Sequence, residues 1–415
     1  MMSRLLPLTL ALSISSAYAA DTLDLAALNA QIQAQQQQLD ALKSQLNQQP
    51  ATTTSSALND TIAKTSISGY GEALFTHVDN AADQYDAYRF VLYVGHQFSD
   101  TVRLHSELEI EHGLVADTDV KDCTNDPATN KVTCKSNPKV GEVELEQMFI
   151  EWKYAQNHAV SIGQLLVPVG MINEFHEPET FYGVKRNAVE TNVIPTTWWE
   201  GGVKASGNIG AVDGLSYDLM VNTGLKTTDA SIRSSRQKGA KATAEDLAYT
   251  GRVRYVSNGL HTGLTYQHQT DLGQGGTTKD NSADLIEVHA SYNWQGLGLK
   301  ALYAQWDIDG LSGTANAQKS KQDGFFVETN YRLGNLMALP LDSFGVFARY
   351  SEWDLAAAND KNGLNSNSKV QQWNYGFNYF LTPQVVMKVD VQAQDHFDKS
   401  KADEDGFNLG IGYSF

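Results

Sequence analysis

The chain ends Phe407-Asn408-Leu409-Gly410-Ile411-Gly412-Tyr413-Ser414-Phe415. Phe407, Leu409, Ile411, Tyr413 and Phe415 fall at every second position, so a strand built from them carries one wholly apolar face. Asn408, Gly410, Gly412 and Ser414 occupy the other. Such a strand suits a place where lipid lies on one side and water on the other. It points to a membrane wall, and to transport rather than catalysis.

The opposite end agrees. Arg4 supplies a short basic region, Leu5 to Ser16 is mostly apolar, and Ala17-Tyr18-Ala19 has the small-x-small pattern that signal peptidase reads. Residues 1–19 are therefore expected to be a signal peptide, cleaved after Ala19 during export. That apolar run is too short to span a bilayer, and no later stretch reaches the roughly 18 apolar residues that a spanning helix needs. A hydrophobic fraction of 41% over 415 residues would suit a soluble protein. It suits a barrel equally, because polar lumen and loops dilute the lipid-facing residues. The net charge of −17 argues against nucleic acid and against anionic-lipid surfaces as partners.

After the leader, Leu25, Leu28, Ile32, Gln35, Leu39, Leu42 and Leu46 alternate spacings of three and four, the a/d pattern of a coiled coil. Residues 20–49 are expected to form a periplasmic helix that ends before Pro50 and associates with copies of itself. Residues 50–65, rich in Thr, Ser and Ala, read as a flexible linker.

From residue 66 to residue 415 one unit recurs: an alternating segment of about ten residues, a short turn, another segment and a longer polar loop. The segments fall near 66–78, 86–98, 101–114, 142–154, 158–167, 197–207, 213–225, 246–257, 260–270, 283–294, 297–308, 323–333, 342–353, 369–381, 384–395 and 405–415. They predict an all-β fold, a 16-stranded antiparallel transmembrane barrel, with an even strand count as single-chain bacterial barrels have. Tight turns such as Ser99-Asp100, Gln295-Gly296 and Thr382-Pro383 should lie on the periplasmic side. In the third segment Val102, Leu104, Leu108 and Ile110 share one face, and Arg103, His105, Glu107, Glu109 and Glu111 the other. Trp294, Trp353, Trp373 and Tyr379 sit at segment ends, as aromatic girdles require. The fourth segment breaks phase between Leu145 and Met148, which predicts a bulge or a protein contact.

Function should reside in the loops and on the inward faces. The third long loop, Val167 to Thr196, sets Glu174, His176, Glu177, Glu179, Lys185, Arg186 and Glu190 among Phe175, Phe181 and Tyr182, with Pro168, Pro178 and Pro195 stiffening it. So many aromatic rings argue against a loop lying wholly in solvent. Arg89, Arg103, Arg252, Arg254, Lys300, Arg332, Arg349 and Lys388 fall on inward phases, beside Glu107, Glu109, Glu111, Glu287, Glu328 and Asp390. Two roles remain open for them. One is a self-neutralising lattice that stiffens the wall. The other is a transverse field, acid facing base across water, that sorts solutes by charge. The candidate constriction comprises Arg89, Arg103, Glu107, Glu109, Glu174, His176, Glu177, Lys185, Arg186, Arg252, Arg254 and Arg349. The fourth long loop carries Lys226, Arg233, Arg236, Lys238 and Lys241, a basic mouth that would concentrate anions or touch lipopolysaccharide.

Cys123 and Cys134 are the only cysteines, in the second long loop of an exported chain, and are expected to form a disulfide. His105 with Glu107, or His176 with Glu177 and Glu179, lacks diagnostic zinc spacing, so neither metal nor cofactor is expected. No nucleophile elbow, zinc-protease helix, P-loop or dinucleotide fingerprint occurs, so no enzyme is expected.

The a/d segment Leu25 to Leu46, the terminal Phe415, and the block Gly163-Gln164-Leu165-Leu166-Val167-Pro168-Val169-Gly170 leading to Pro195-Thr196-Thr197-Trp198-Trp199-Glu200-Gly201-Gly202 together resemble a family. It is that of the trimeric phosphate-selective porins of the O and P type and the related dicarboxylate-uptake porins. The resemblance implies a homotrimer, a third loop folded inward as a constriction, and a basic lining that selects small anions such as phosphate or organic acids. This chain departs from a pure anion ladder, since six inward acids accompany its eight inward bases. The competing class is an envelope-anchoring or adhesive barrel whose coiled coil binds the cell wall, peptidoglycan included.

Overall fold

The backbone N–H groups of Phe415 and Gly69 donate to each other's carbonyls, both at 2.9 Å, so the last residue closes a cylinder against the first strand. The computed structural model describes residues 61–415 apart from 80, 114–120, 127–130, 137–140, 277–280, 312–313, 336–342 and 359–367. The expected leader (1–19), the coiled-coil helix (20–49) and linker residues 50–60 lie outside the described residues.

The strands are β1 (Thr65–Val78), β2 (Gln84–Gln97), β3 (Val102–Glu111), β4 (Lys121–Asp126), β5 (Lys131–Ser136), β6 (Val143–Ala155), β7 (His158–Leu166), β8 (Trp199–Asn208) and β9 (Leu215–Asn222). They continue with β10 (Ala248–Ser257), β11 (Leu260–Gln269), β12 (Ala283–Trp294), β13 (Leu297–Ile308), β14 (Lys321–Arg332), β15 (Phe344–Asp354), β16 (Val370–Thr382), β17 (Val385–His396) and β18 (Gly406–Ser414). β4 and β5 form a separate hairpin within the second long loop; the other sixteen close into one barrel, each antiparallel to its neighbours. Closure leaves no strand edge to be satisfied in lipid. The sixteen segments read from alternation coincide with these sixteen strands to within a few residues.

The apolar phase of β18 faces out: Phe407, Leu409, Ile411, Tyr413 and Phe415 are all more than a third exposed, while Asn408 is buried inside. The phase break in β6 is a bulge. Glu107 pairs with Gln147 and Leu108 with Leu145, so Glu146 is the extra residue. The bulge resets the alternation, and Val143, Leu145, Met148, Ile150 and Trp152 all reach the outer surface. Trp353 corrects the girdle expectation. It shares the inward phase of Arg349 and is buried in an apolar cluster inside the barrel, whereas Trp294 and Trp373 do lie outside.

Candidate functional site

The third long loop leaves β7 at Val167 and folds into the barrel, where one arm is held by apolar packing. Val189, Val193, Ile194 and Trp198 join inward-facing Leu285, Leu302, Trp306, Phe326 and Trp353 in a single buried cluster. The Trp306 indole donates to the Val193 carbonyl at 2.8 Å. A short helix, α1 (Ala188–Asn192), turns this arm; the Asn187 side chain caps it by accepting from the amides of Val189 and Glu190. The other arm crosses to the far wall. Lys388 and Asn378 donate to the Phe181 carbonyl (3.0 and 3.3 Å), the Val184 amide donates to Asp390 (2.6 Å), and Arg349 donates to the Tyr182 carbonyl (3.3 Å). Glycines on that wall make the room: a Cβ on Gly412 would lie 2.3 Å from Pro178, and one on Gly345 would lie 2.2 Å from the Tyr182 hydroxyl.

Most inward arginines are neutralised across strands. Arg89 contacts Glu72 and Glu109 at 2.9 Å each and Glu111 at 3.7 Å. Arg103 meets Glu151 at 2.6 Å, near the tight turns and away from the third loop, and Arg349 meets Glu328 at 3.2 Å. Arg252 bridges Asp218 (2.8 Å) and the loop carboxylate Glu174 (2.6 Å), with Arg254 beside them at 3.3 Å from Asp218. Each of these arginines is thus matched by a carboxylate of the wall or of the third loop.

Burial opposes the charge on Glu174, but Arg252, Lys204 and Arg254 outweigh it and hold the carboxyl at about 2. A group so depressed stabilises the fold fully above its unfolded value of about 4.3 and loses that contribution as pH falls through its folded value. Amide exchange around Glu174 should thus stay slow down to about pH 4 and quicken between there and about pH 2. Equal quickening in Glu174→Gln over the same interval would assign the effect to another carboxylate.

Four other cations are wetted. Lys185, Arg186, Arg233 and Arg236 line one cavity of about 480 Å³, bounded by the inner faces of β1, β2, β3, β6, β16 and β17 and by the third and fourth loops. None of the four makes an ion pair among the described residues. Arg186 donates to Tyr70, Thr197 and the His176 carbonyl at 3.3–3.5 Å. Arg233 donates to the carbonyls of Thr191 and Thr196, and Arg236 to that of Thr197. Enclosure, and then repulsion from Arg236 and Arg186, pulls the Arg233 guanidinium down to about 10, still charged at neutral pH. Enclosure likewise lowers Lys185. The acids on the same cavity are largely engaged: Glu72 and Glu111 with Arg89, Glu144 with Lys238, Asp86 with His112 at 2.8 Å, and Glu404 with His396 at 3.4 Å. The lining as a whole carries six basic side chains against five acidic ones, and the four without an ion pair are all among the basic six.

Of the residues singled out from sequence, Lys185 and Arg186 face this open space, and Arg89 lies on its wall, paired. Glu107 and His176 meet at 3.2 Å where the third loop reaches β3, and Glu177 accepts from Tyr93 at 3.4 Å. Arg233 and Arg236, read as part of an outer mouth, instead fold inward beside Arg186. Their position depends on bonds to third-loop carbonyls, which residue pattern does not encode.

No protein-family model matches the chain. An uncharacterized protein of Aquifex aeolicus is 27% identical over 374 residues, covering 84% of this chain and 80% of its own. Among solved structures, OmpF of Salmonella typhi in complex with daunomycin is similar at a TM-score of 0.56 and 15% identity, over 85% of this chain and 97% of that one. The anion-selective porin of Comamonas acidovorans is similar at 0.55 and 14%, over 85% and 99%. The fold is that of the outer-membrane porins.

Proposed function

We propose that the protein is a passive diffusion channel of the bacterial outer membrane that favours small anions such as phosphate or organic acids. The outward apolar belt and the closed barrel support the location. The anion preference rests on Lys185, Arg186, Arg233 and Arg236, wetted and without carboxylate partners beside the lumen. Guanidinium groups keep their charge and bind carboxylate or phosphate bidentately, so such a cluster concentrates and passes anions. The O and P type porins remain the family the motifs resemble. Conductance in planar bilayers with a reversal potential under a salt gradient is the test. Stepwise anion-selective currents are expected. Cation preference would transfer control to the cavity's acids, and silence with cell-wall binding would favour the anchoring reading.

We further propose a homotrimer held by the periplasmic helix, with the leader removed after Ala19. Deleting Asp21 to Gln49 should weaken the trimer in detergent and leave a folded barrel; an unchanged trimer would assign assembly to the barrel walls. In the β4–β5 hairpin Cys123 and Cys134 are directly opposed in register. Antiparallel partners lie about 4.5–5.5 Å apart at Cα, within disulfide range. The denatured, unreduced protein should therefore show no free thiol, and two titratable thiols would refute the bond.

A further inference from the structure

We propose that Glu107, Glu146 and His176 form a binding site for a divalent cation of the zinc class, joining the third loop to the barrel wall. Glu107 lies on β3, Glu146 is the bulged residue of β6, and His176 comes from the loop. Their ligand-type atoms converge: His176 Nε2 is 3.2 Å from Glu107 Oε1 and 3.8 Å from Glu146 Oε2, and all three lie within 4.8 Å of one another. A tetrahedral ion with bonds of about 2.0–2.1 Å holds its ligands roughly 3.4 Å apart. The trio needs little movement to accept it.

The atoms facing away from this point are already engaged. Glu107 Oε2 accepts from Gln147 at 2.6 Å, Glu146 Oε1 accepts from Thr197 at 3.2 Å, and His176 Nδ1 donates to the Asn173 carbonyl at 3.3 Å. A carbonyl can only accept, so in the neutral ring the Nε2 lone pair is directed at the two carboxylates. Backbone anchoring of the far nitrogen is the usual support of a metal-binding histidine. Glu146 Oε2 is fully enclosed and receives no N–H donor, with the Glu109 carboxylate beside Glu146, and carboxylates in that setting call for a cation or a shared proton. The bulge makes the arrangement possible, because it turns consecutive residues, Glu146 as ligand and Gln147 as support, toward Glu107.

One imidazole with two carboxylates suits zinc and its first-row neighbours better than magnesium or calcium, which take oxygen alone. Overlapping carboxylate groups lead inward from exposed Glu142. Glu111, Glu142 and Glu144 form one, and Glu109, Glu144 and Glu146 the next. Sequence spacing concealed the site, since its ligands come from three separate segments and neither Glu177 nor Glu179 takes part.

The test uses the full chain in detergent, stripped with chelator, loaded with Zn²⁺ and gel-filtered before metal analysis. It is independent of the channel reading, because binding needs no transport. The unmodified protein and a His77→Ala control, which removes the exposed His77–Asp79–Asp83 group, should each retain one zinc per barrel. Glu146→Gln should bind roughly tenfold more weakly or worse. No zinc on the unmodified protein, or equal retention by Glu146→Gln, would overturn the site and leave a proton shared among these groups. Should Glu146→Gln fail to give a heat-modifiable barrel, Co²⁺ titration of the unmodified protein decides. Intense visible bands of a four-coordinate ion are expected, and the weak bands of the hydrated ion would refute it.

Discussion

Replacing Arg186 and Arg236 together by glutamate should turn the proposed anion preference into a cation preference, so that the reversal potential under a salt gradient changes sign. Both residues border the open lumen and neither is held by a carboxylate, so the double substitution changes the local fixed charge by four units. Even in bulk water a unit charge at 4 Å is worth about 1 kcal/mol. A ratio of cation to anion permeability moves tenfold for each 1.4 kcal/mol or so, and a shift well beyond tenfold is therefore expected at low salt. The shift should shrink as salt is raised toward 1 M, where the screening length falls to about 3 Å. Lys401→Glu, on an exposed loop beyond β17, should move the potential little. Equal and small shifts from the two variants would place the constriction elsewhere.

The wall was legible in the sequence and the lumen only partly so. A strand that separates lipid from water must alternate, and that requirement alone located the sixteen strands. It also exposed a phase error between Leu145 and Met148, which left a bulge or a protein contact open and which the strand pairing resolves as a bulge at Glu146. Composition hinted that the third loop avoids solvent. Its landing on Lys388, Asn378 and Asp390 depends instead on contacts between segments about two hundred residues apart, for which residue pattern carries no signal. The roles of the arginines divide along the same line. Arg89 faces Glu111 across the Ser99-Asp100 turn, so counting outward from that turn would have paired them, whereas Arg252 with Asp218 and Arg349 with Glu328 face each other across longer connections whose register the pattern does not fix. Arg233 and Arg236 belong to a loop without period. Only the fold of that loop over Thr191, Thr196 and Thr197 distinguishes a lumen cation from a surface one.

That division predicts a different outcome for Arg252, which shares the inward phase yet should act on stability. Its guanidinium is almost fully enclosed, between Asp218, itself buried, and Glu174, which ties the third loop to β10. Arg252→Met would keep most of the packing volume and leave the two carboxylates only their longer contacts with Arg254 and Lys204. Removing one partner of a buried ion pair typically costs about 3–5 kcal/mol, most of it the penalty of the stranded charge. The urea midpoint of the detergent-solubilised protein should fall accordingly. A triple variant, Arg252→Met with Asp218→Asn and Glu174→Gln, should recover part of the loss, since no carboxylate is then stranded. The effect on reversal potential should be smaller than that of Arg186→Glu, because the charge lost from Arg252 is already cancelled locally. An unaltered midpoint with a large change in selectivity would reverse the assignment, putting Arg252 in the conducting path and Arg186 in the wall.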